Sequence, residues 1–212
     1  PTMQTVHNLI ILDASGSMTS IYNQALNGLN ETIQSIKISQ KETPEIRQLI
    51  TLASFSSGTD YLRHIFNAMP VEEVHELTTT DYIPYGGTAL YDAIGKGIAK
   101  MNAQTEADDN ILVTIITDGE ENCSEEYNLK MVKTLIEKLK KQGWTFTLIG
   151  TDDLDVEGMA GSMAIDNHLA FTESEAGTRK MFARERKSRE RYNDMVCCNF
   201  AMPKGSYFDE ED

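Results

Sequence analysis

Four unbroken apolar runs punctuate the chain: Leu9–Leu12, Leu49–Phe55, Ile111–Thr117 and Phe146–Ile149. Continuous rather than alternating hydrophobicity is the pattern of central parallel strands covered on both faces. Between these runs, apolar residues recur at helical spacing. Tyr22, Ala25, Leu26, Leu29, Ile33 and Ile36 make one stripe. Leu90, Ile94, Ile98 and Met101 make a second, and Leu129, Val132, Leu135, Ile136 and Leu139 a third. Each stripe is suited to lie on a sheet. Residues 59–67 follow the second run after Ser-Ser-Gly, which predicts a hairpin and one antiparallel edge strand on an otherwise parallel sheet. A further helix is expected near Val156–Ala164, a last strand near Leu169–Thr172 and a helix over 174–195. The acidic end, Phe208–Asp212, reads as a mobile tail. The pattern as a whole is α/β: a doubly wound, mostly parallel sheet with helices on both faces.

Composition narrows the function classes. The chain has 212 residues, enough for one domain with a sizeable core. No apolar run approaches the ~18 residues of a membrane-spanning helix, so no membrane partner is expected. No basic segment leads into an apolar stretch at the N-terminus, so the expectation is either a cytoplasmic location or a signal already removed; Pro1 suits removal of an initiator Met, which slightly favours the first. The formal charge of −14 argues against nucleic acid as a partner. Residues 179–191 run against this balance, with seven Lys or Arg against two Glu. Such a stretch reads as a solvated helix face or as a docking surface for an acidic partner. Cys123, Cys197 and Cys198 are too few and too poorly spaced for a disulfide framework or a thiolate zinc site.

The chemistry concentrates in Asp13-Ala-Ser15-Gly-Ser17, directly after the first apolar run. Alternate side chains of a tight loop can turn inward around one small cation, as in calcium loops, with Gly16 permitting the turn. Carboxylate and hydroxyl oxygens select magnesium, manganese or calcium over softer metals. Asp118 ends the third run as Asp13 ends the first. In open parallel sheets ligands bind beyond the carboxyl ends of the strands, where strand order reverses. If the two strands flank that reversal, Asp13 and Asp118 share a crevice, and a cation between them removes their repulsion. Gly86-Gly87-Thr88 precedes the second helical stripe. Alone it is a glycine turn and a Thr cap; beside the two acids, Thr88 becomes a candidate ligand.

Asp-x-Ser-x-Ser, a Thr in a Gly-Gly-Thr loop and an Asp-Gly after a later strand resemble, in order and spacing, the von Willebrand factor type A domain. The resemblance covers roughly residues 5–172. It implies a domain over 1–172; beyond it, composition and pattern alone suggest 173–195 as a C-terminal helix on or extending the domain and 196–212 as a tail, acidic at its end. It also implies a metal-ion-dependent adhesion site in which Ser15 and Ser17 ligate directly, Asp13 and Asp118 directly or through water, and Thr88 according to ligand state. The metal would be Mg2+, with Mn2+ or Ca2+ as alternatives. A water on the ion could be replaced by an Asp or Glu of a protein partner. Met18, Tyr22, Tyr82, Tyr85 and Asn122 are the candidate rim. The compact, free-standing form is bacterial-like, and within the family such domains resemble partners or adaptors of ATPase-driven complexes and of stress or metal-resistance systems, as well as adhesins.

Two other readings are weaker. A magnesium-dependent phosphohydrolase could use Asp13 as nucleophile, but it would want a second acid two residues on, where Ser15 stands. Asp153, Asp155 and Glu157 resemble the start of an EF-hand, yet Ala164 occupies the place of its final acid. A non-enzymatic binding module is the expectation.

Overall fold

The computed structural model describes residues 3–208. Strands β1 (Gln4–Asp13), β2 (Ile46–Phe55), β3 (Leu62–Pro70), β4 (Asn110–Thr117), β5 (Thr145–Thr151) and β6 (Asn167–Phe171) form one sheet in the order β3-β2-β1-β4-β5-β6. All neighbouring pairs are parallel except β2 with β3. The helices are α1 (Tyr22–Glu42), α2 (Leu90–Gln104), α3 (Leu129–Lys141), α4 (Val156–Ser162) and α5 (Glu175–Cys197).

Alternation along β1 sorts the core into two layers. Ile10 and Leu12 face α1 and α5 together with Leu29, Ile33, Met181 and Phe182. Leu9 and Ile11 face the other way, onto Ile94 and Ile98 of α2 and Val132 and Ile136 of α3. Both faces of the sheet are therefore covered, which is why its strands read as continuous apolar runs. Helices α1 and α5 touch closely: a Cβ on Gly28 would stand 2.2 Å from the Phe182 ring.

The antiparallel edge strand is present but begins later than residues 59–67. Its pairing with β2 shifts register between Ile50 and Ala53, where Ala68 adopts a positive φ of 46°. Such an irregularity bends an edge strand and discourages pairing with other chains.

The basic stretch is solvated in part, with Arg179, Lys180 and Lys187 exposed, but Arg189 departs from a solvated-face reading. Arg189 is buried against the sheet, where it binds Glu185 at 2.8 Å, Asn8 Oδ1 at 2.8 Å and Thr114 Oγ1 at 2.9 Å. Arg186 pairs with Glu31 of α1 at 3.0 Å. The chain after α5 also returns to the sheet. Tyr207 is fully buried and donates to Glu185 at 2.7 Å, and Phe208 packs edge-on against it. Phe208 is thus anchored rather than part of a mobile tail; residues 209–212 lie outside the described residues. No described helix is long and apolar enough to cross a membrane.

Candidate metal centre

The centre lies where strand order reverses. From β1 the chain winds one way to β2, then crosses back through α2 to place β4 on the other side of β1. Leu12 pairs with Ile116, so the carboxyl ends of β1 and β4 emerge side by side. This adjacency brings Asp13 and Asp118 into one crevice, both buried.

The Asp13–Ser17 loop is held by backbone on two sides. Ala14 N donates to Phe55 O at 2.7 Å, Tyr85 N to Ala14 O at 2.7 Å, and Gly16 N to Gly86 O at 3.0 Å. The glycine whose conformation is demanded is Gly86, with φ +68° and a would-be Cβ 2.5 Å from Ser57 Oγ. Gly16, singled out from sequence as permitting the turn, is not in the left-handed region.

The two acids do different work. Asp13 Oδ1 accepts Ser15 N at 2.7 Å, and Oδ2 accepts Thr117 Oγ1 at 2.8 Å. Both oxygens are thus engaged in shaping the loop and tying it to β4. Burial pushes the Asp13 carboxyl up to about 6; the bonds from Ser15 and Thr117 oppose this, and the Asp118 charge adds to it. Asp118 is less satisfied. Its Oδ1 accepts Ser15 Oγ at 3.4 Å, while Oδ2 is buried with no hydrogen-bond partner among the described residues. Ser15 Oγ lies 3.1 Å from the Oγ of Ser17, whose side of the loop is exposed. Thr88 is buried, with its hydroxyl on the Gly119 side of the crevice.

A buried carboxylate oxygen without a donor is costly and calls for a partner. Beside it stand hydroxyl oxygens and a second acid. Among the described residues no three His, Cys, Asp or Glu side chains cluster to hold a metal, so any ion here would rest on two carboxylates plus hydroxyls. That donor set fits a hard divalent cation.

The candidate rim divides. Met18 and Tyr82 are 0% and 1% exposed and belong to the core; the helical turn after Ser15 rolls Met18 inward, and Tyr82 donates to Asp13 O at 2.7 Å. Tyr22 is half-buried and stacks on Tyr82 with ring centroids 5.5 Å apart. Tyr85 is 49% exposed. Asn122 is exposed but also structural: its Oδ1 accepts Thr88 N at 3.0 Å and its backbone N donates to Thr88 O at 3.0 Å.

Sequence reading missed Asp92, buried on α2, which accepts the backbone N–H groups of Glu125, Glu126 and Tyr127 at 2.7–2.9 Å. With Glu121, which accepts Tyr91 N, Cys123 N and Ser124 N, it fastens the loop after Asp118 to the helix after Thr88. The detectable signal was an acid inside an apolar stripe, Leu90-Tyr91-Asp92-Ala93-Ile94. Thr117 was also missed; it reads only as the last residue of a strand.

Solved structures of similar fold include the PilB minor pilin from Streptococcus sanguinis, with TM-score 0.62 at 13% identity over 91% of this chain and 62% of that one. The pilus adhesin SpaC from Lactobacillus rhamnosus GG gives TM-score 0.64 at 14% identity over 87% of this chain and 30% of that one. The SpRpn10 VWA domain gives TM-score 0.59 at 11% identity, covering 84% of this chain and 94% of that one. The chain thus spans less than two thirds of the pilin and about a third of the adhesin. No curated protein sequence matches. The model of the von Willebrand factor type A domain matches residues 9–185, and the chain belongs to that family.

Proposed function

We propose that this domain is a metal-dependent protein-binding module, in which Asp13, Ser15, Ser17, Thr88 and Asp118 hold Mg2+ and the ion engages an Asp or Glu of a protein partner. The observation that carries the reading is the buried Oδ2 of Asp118, which lacks a donor and lies in one crevice with the Ser15 and Ser17 hydroxyls. When bound, the ion would neutralise two buried acids and, at octahedral coordination, retain water that an acidic ligand can replace. Asp13 acts chiefly through the loop it shapes, since its two oxygens already accept Ser15 N and Thr117 Oγ1. The same engagement disfavours Asp13 as the nucleophile of a phosphohydrolase, which needs a free oxygen. The exposed acids Glu120, Glu125 and Glu126 surround the site and repel generally acidic surfaces, so selection falls to close contacts.

The test is capture of a partner by the purified domain, with the bound protein identified by mass spectrometry. Capture should need Mg2+, stop with chelator and be lost in a folded Asp13→Ala variant. Capture that survives both treatments overturns the reading.

A further inference from the structure

Charge is unevenly spread over the domain. Helices α2 and α3 lie side by side on one face of the sheet, over the same buried cluster. Together they carry seven lysines against two acids, a balance of +5 in a chain of −14. One of the acids, Asp92, is buried, and one lysine, Lys140, pairs with Asp166 at 2.9 Å. The other six lysines are exposed. Among the described residues only Lys133 of these six has an acid partner, Glu137 at 3.9 Å, while Lys96 lies over the Tyr61 ring. The chain has 33 acids with which to neutralise this face and places almost none there.

The lysines border an open apolar strip. Tyr127, just before α3, packs on Gly95 of α2 and leaves no room there for a Cβ. Met131 and Leu135 follow Tyr127 at four-residue spacing, so they line the flank of α3 that faces α2. The opposite flank turns to the end of α4, where Lys140 Nζ donates to Ala164 O at 2.7 Å. Ala99 and Ala103 follow Gly95 at the same spacing and are too small to cover Met131, which is 47% exposed. Lys96 and Lys100 stand three residues before the two alanines; Lys130 and Lys138 stand three residues after Tyr127 and Leu135. The strip thus has an apolar floor and a cationic lip on each side. Both helices start at the metal end, and at 1.5 Å per residue the strip is about 20 Å long. Exposed acids close it at both ends: Glu120, Glu125 and Glu126 before α3, and Glu106 and Asp108 after α2.

We propose that this strip docks an acidic amphipathic helix of a protein partner, with its apolar side chains on Met131 and the alanines and its Asp or Glu residues on the two lysine lips. The surface lies apart from the metal centre and does not depend on it. Charge complementarity selects the acid, and the acids at both ends select a short segment. A nucleic acid or an anionic bilayer would extend past the strip and meet like charge. The four-residue spacing of the floor is met by a second helix presenting apolar residues at i, i+3, i+4 and i+7.

The experiment selects a displayed library of helical peptides, about 18 residues or five turns long, on the full chain in chelator. Selected peptides should carry an apolar stripe flanked by Asp or Glu, and their affinity should fall as salt rises. The Lys96→Glu/Lys130→Glu/Lys138→Glu variant, changed only at exposed positions, should weaken them at least about tenfold, and so should Met131→Asp. Asp118→Asn should bind them like the parent. Selected peptides without acids, or affinities unchanged in the triple variant and in Met131→Asp, overturn the proposal. So does a single-stranded oligonucleotide or a phosphatidylserine vesicle that binds the parent more tightly than the peptides and loses that binding in the triple variant.

Discussion

Ser15 Oγ lies 3.4 Å from Asp118 Oδ1, although 103 residues separate the two in sequence. The contact exists because β1 and β4 are parallel neighbours with Leu12 opposite Ile116. It joins the two loops between which a metal would sit. It also leaves the second Asp118 oxygen without a donor in a buried crevice.

That unsatisfied oxygen makes the metal-free domain strained in a measurable way. In chelator, Asp118→Asn should be neutral or stabilising, because it removes one of two acids buried together. In Mg2+ at about a hundred times its dissociation constant, the parent should gain about 2.7 kcal/mol and the variant should gain nothing. Thermal unfolding with and without the ion reads both effects.

Asp92 should matter more than its distance from the ion suggests. It satisfies three backbone N–H groups of the loop after Asp118. Asp92→Ala should cost about 2–3 kcal/mol in urea unfolding, the penalty of leaving buried donors unpaired. It should also weaken Mg2+ binding, since the loop carries Asn122 against Thr88.

The buried Arg189–Glu185 pair gives a coupled prediction. Arg189→Met alone should cost about 3–5 kcal/mol by stranding the Glu185 charge. Adding Glu185→Gln should recover part of that loss. Tyr207 donates to the same carboxylate, so Tyr207→Phe should destabilise as well, in proportion to one hydrogen bond of about 1 kcal/mol. A double-mutant cycle measures the coupling.

Acid stability in chelator should reflect two opposed groups. Burial lowers His64 from 6.5 to about 4, with Lys100 and Lys96 adding to the shift, so the fold favours neutral imidazole. Between about 6.5 and 4 the unfolded chain binds a proton the native state refuses, and stability falls as pH drops through that window. Asp13 acts the other way: raised from 3.8 to about 6, it is protonated first in the native state, and stability rises as pH falls from about 6 to 3.8. His64→Gln should therefore remove the acid loss, and Asp13→Asn should steepen it. Unfolding free energies from pH 4 to 7 check the two slopes.

How much of this the sequence carried differs by residue. The apolar runs marked every central strand because both sheet faces are covered, and a two-sided strand leaves an unbroken signature. Asp13, Ser15 and Ser17 could be named from loop spacing and Asp118 from the end of a second buried strand, whereas Thr88 rested mostly on the family resemblance. The edge strand β3 begins later than expected because residues 57–60 are spent on the turn, so that pairing starts with Phe55 opposite Leu62. Met18 and Tyr82 looked like rim because they flank the motif; only the helical turn and the bond to Asp13 O reveal that they face inward. Arg189 was hidden for a similar reason. Its burial depends on Glu185, Asn8, Thr114 and Tyr207 meeting under α5, and three of these four are distant in sequence from the helix or lie beyond it.

On the proposed reading, the crevice between Asp13 and Asp118 holds one divalent ion. Titration of Mn2+ into the chelator-stripped domain, followed by the loss of its free-ion electron paramagnetic resonance signal, tests this most directly. One saturable site per chain is expected, displaced by Mg2+ and lost in Asp118→Asn and in the Ser15→Ala/Ser17→Ala pair. No saturable binding by the folded domain, or binding unchanged in those variants, would contradict it.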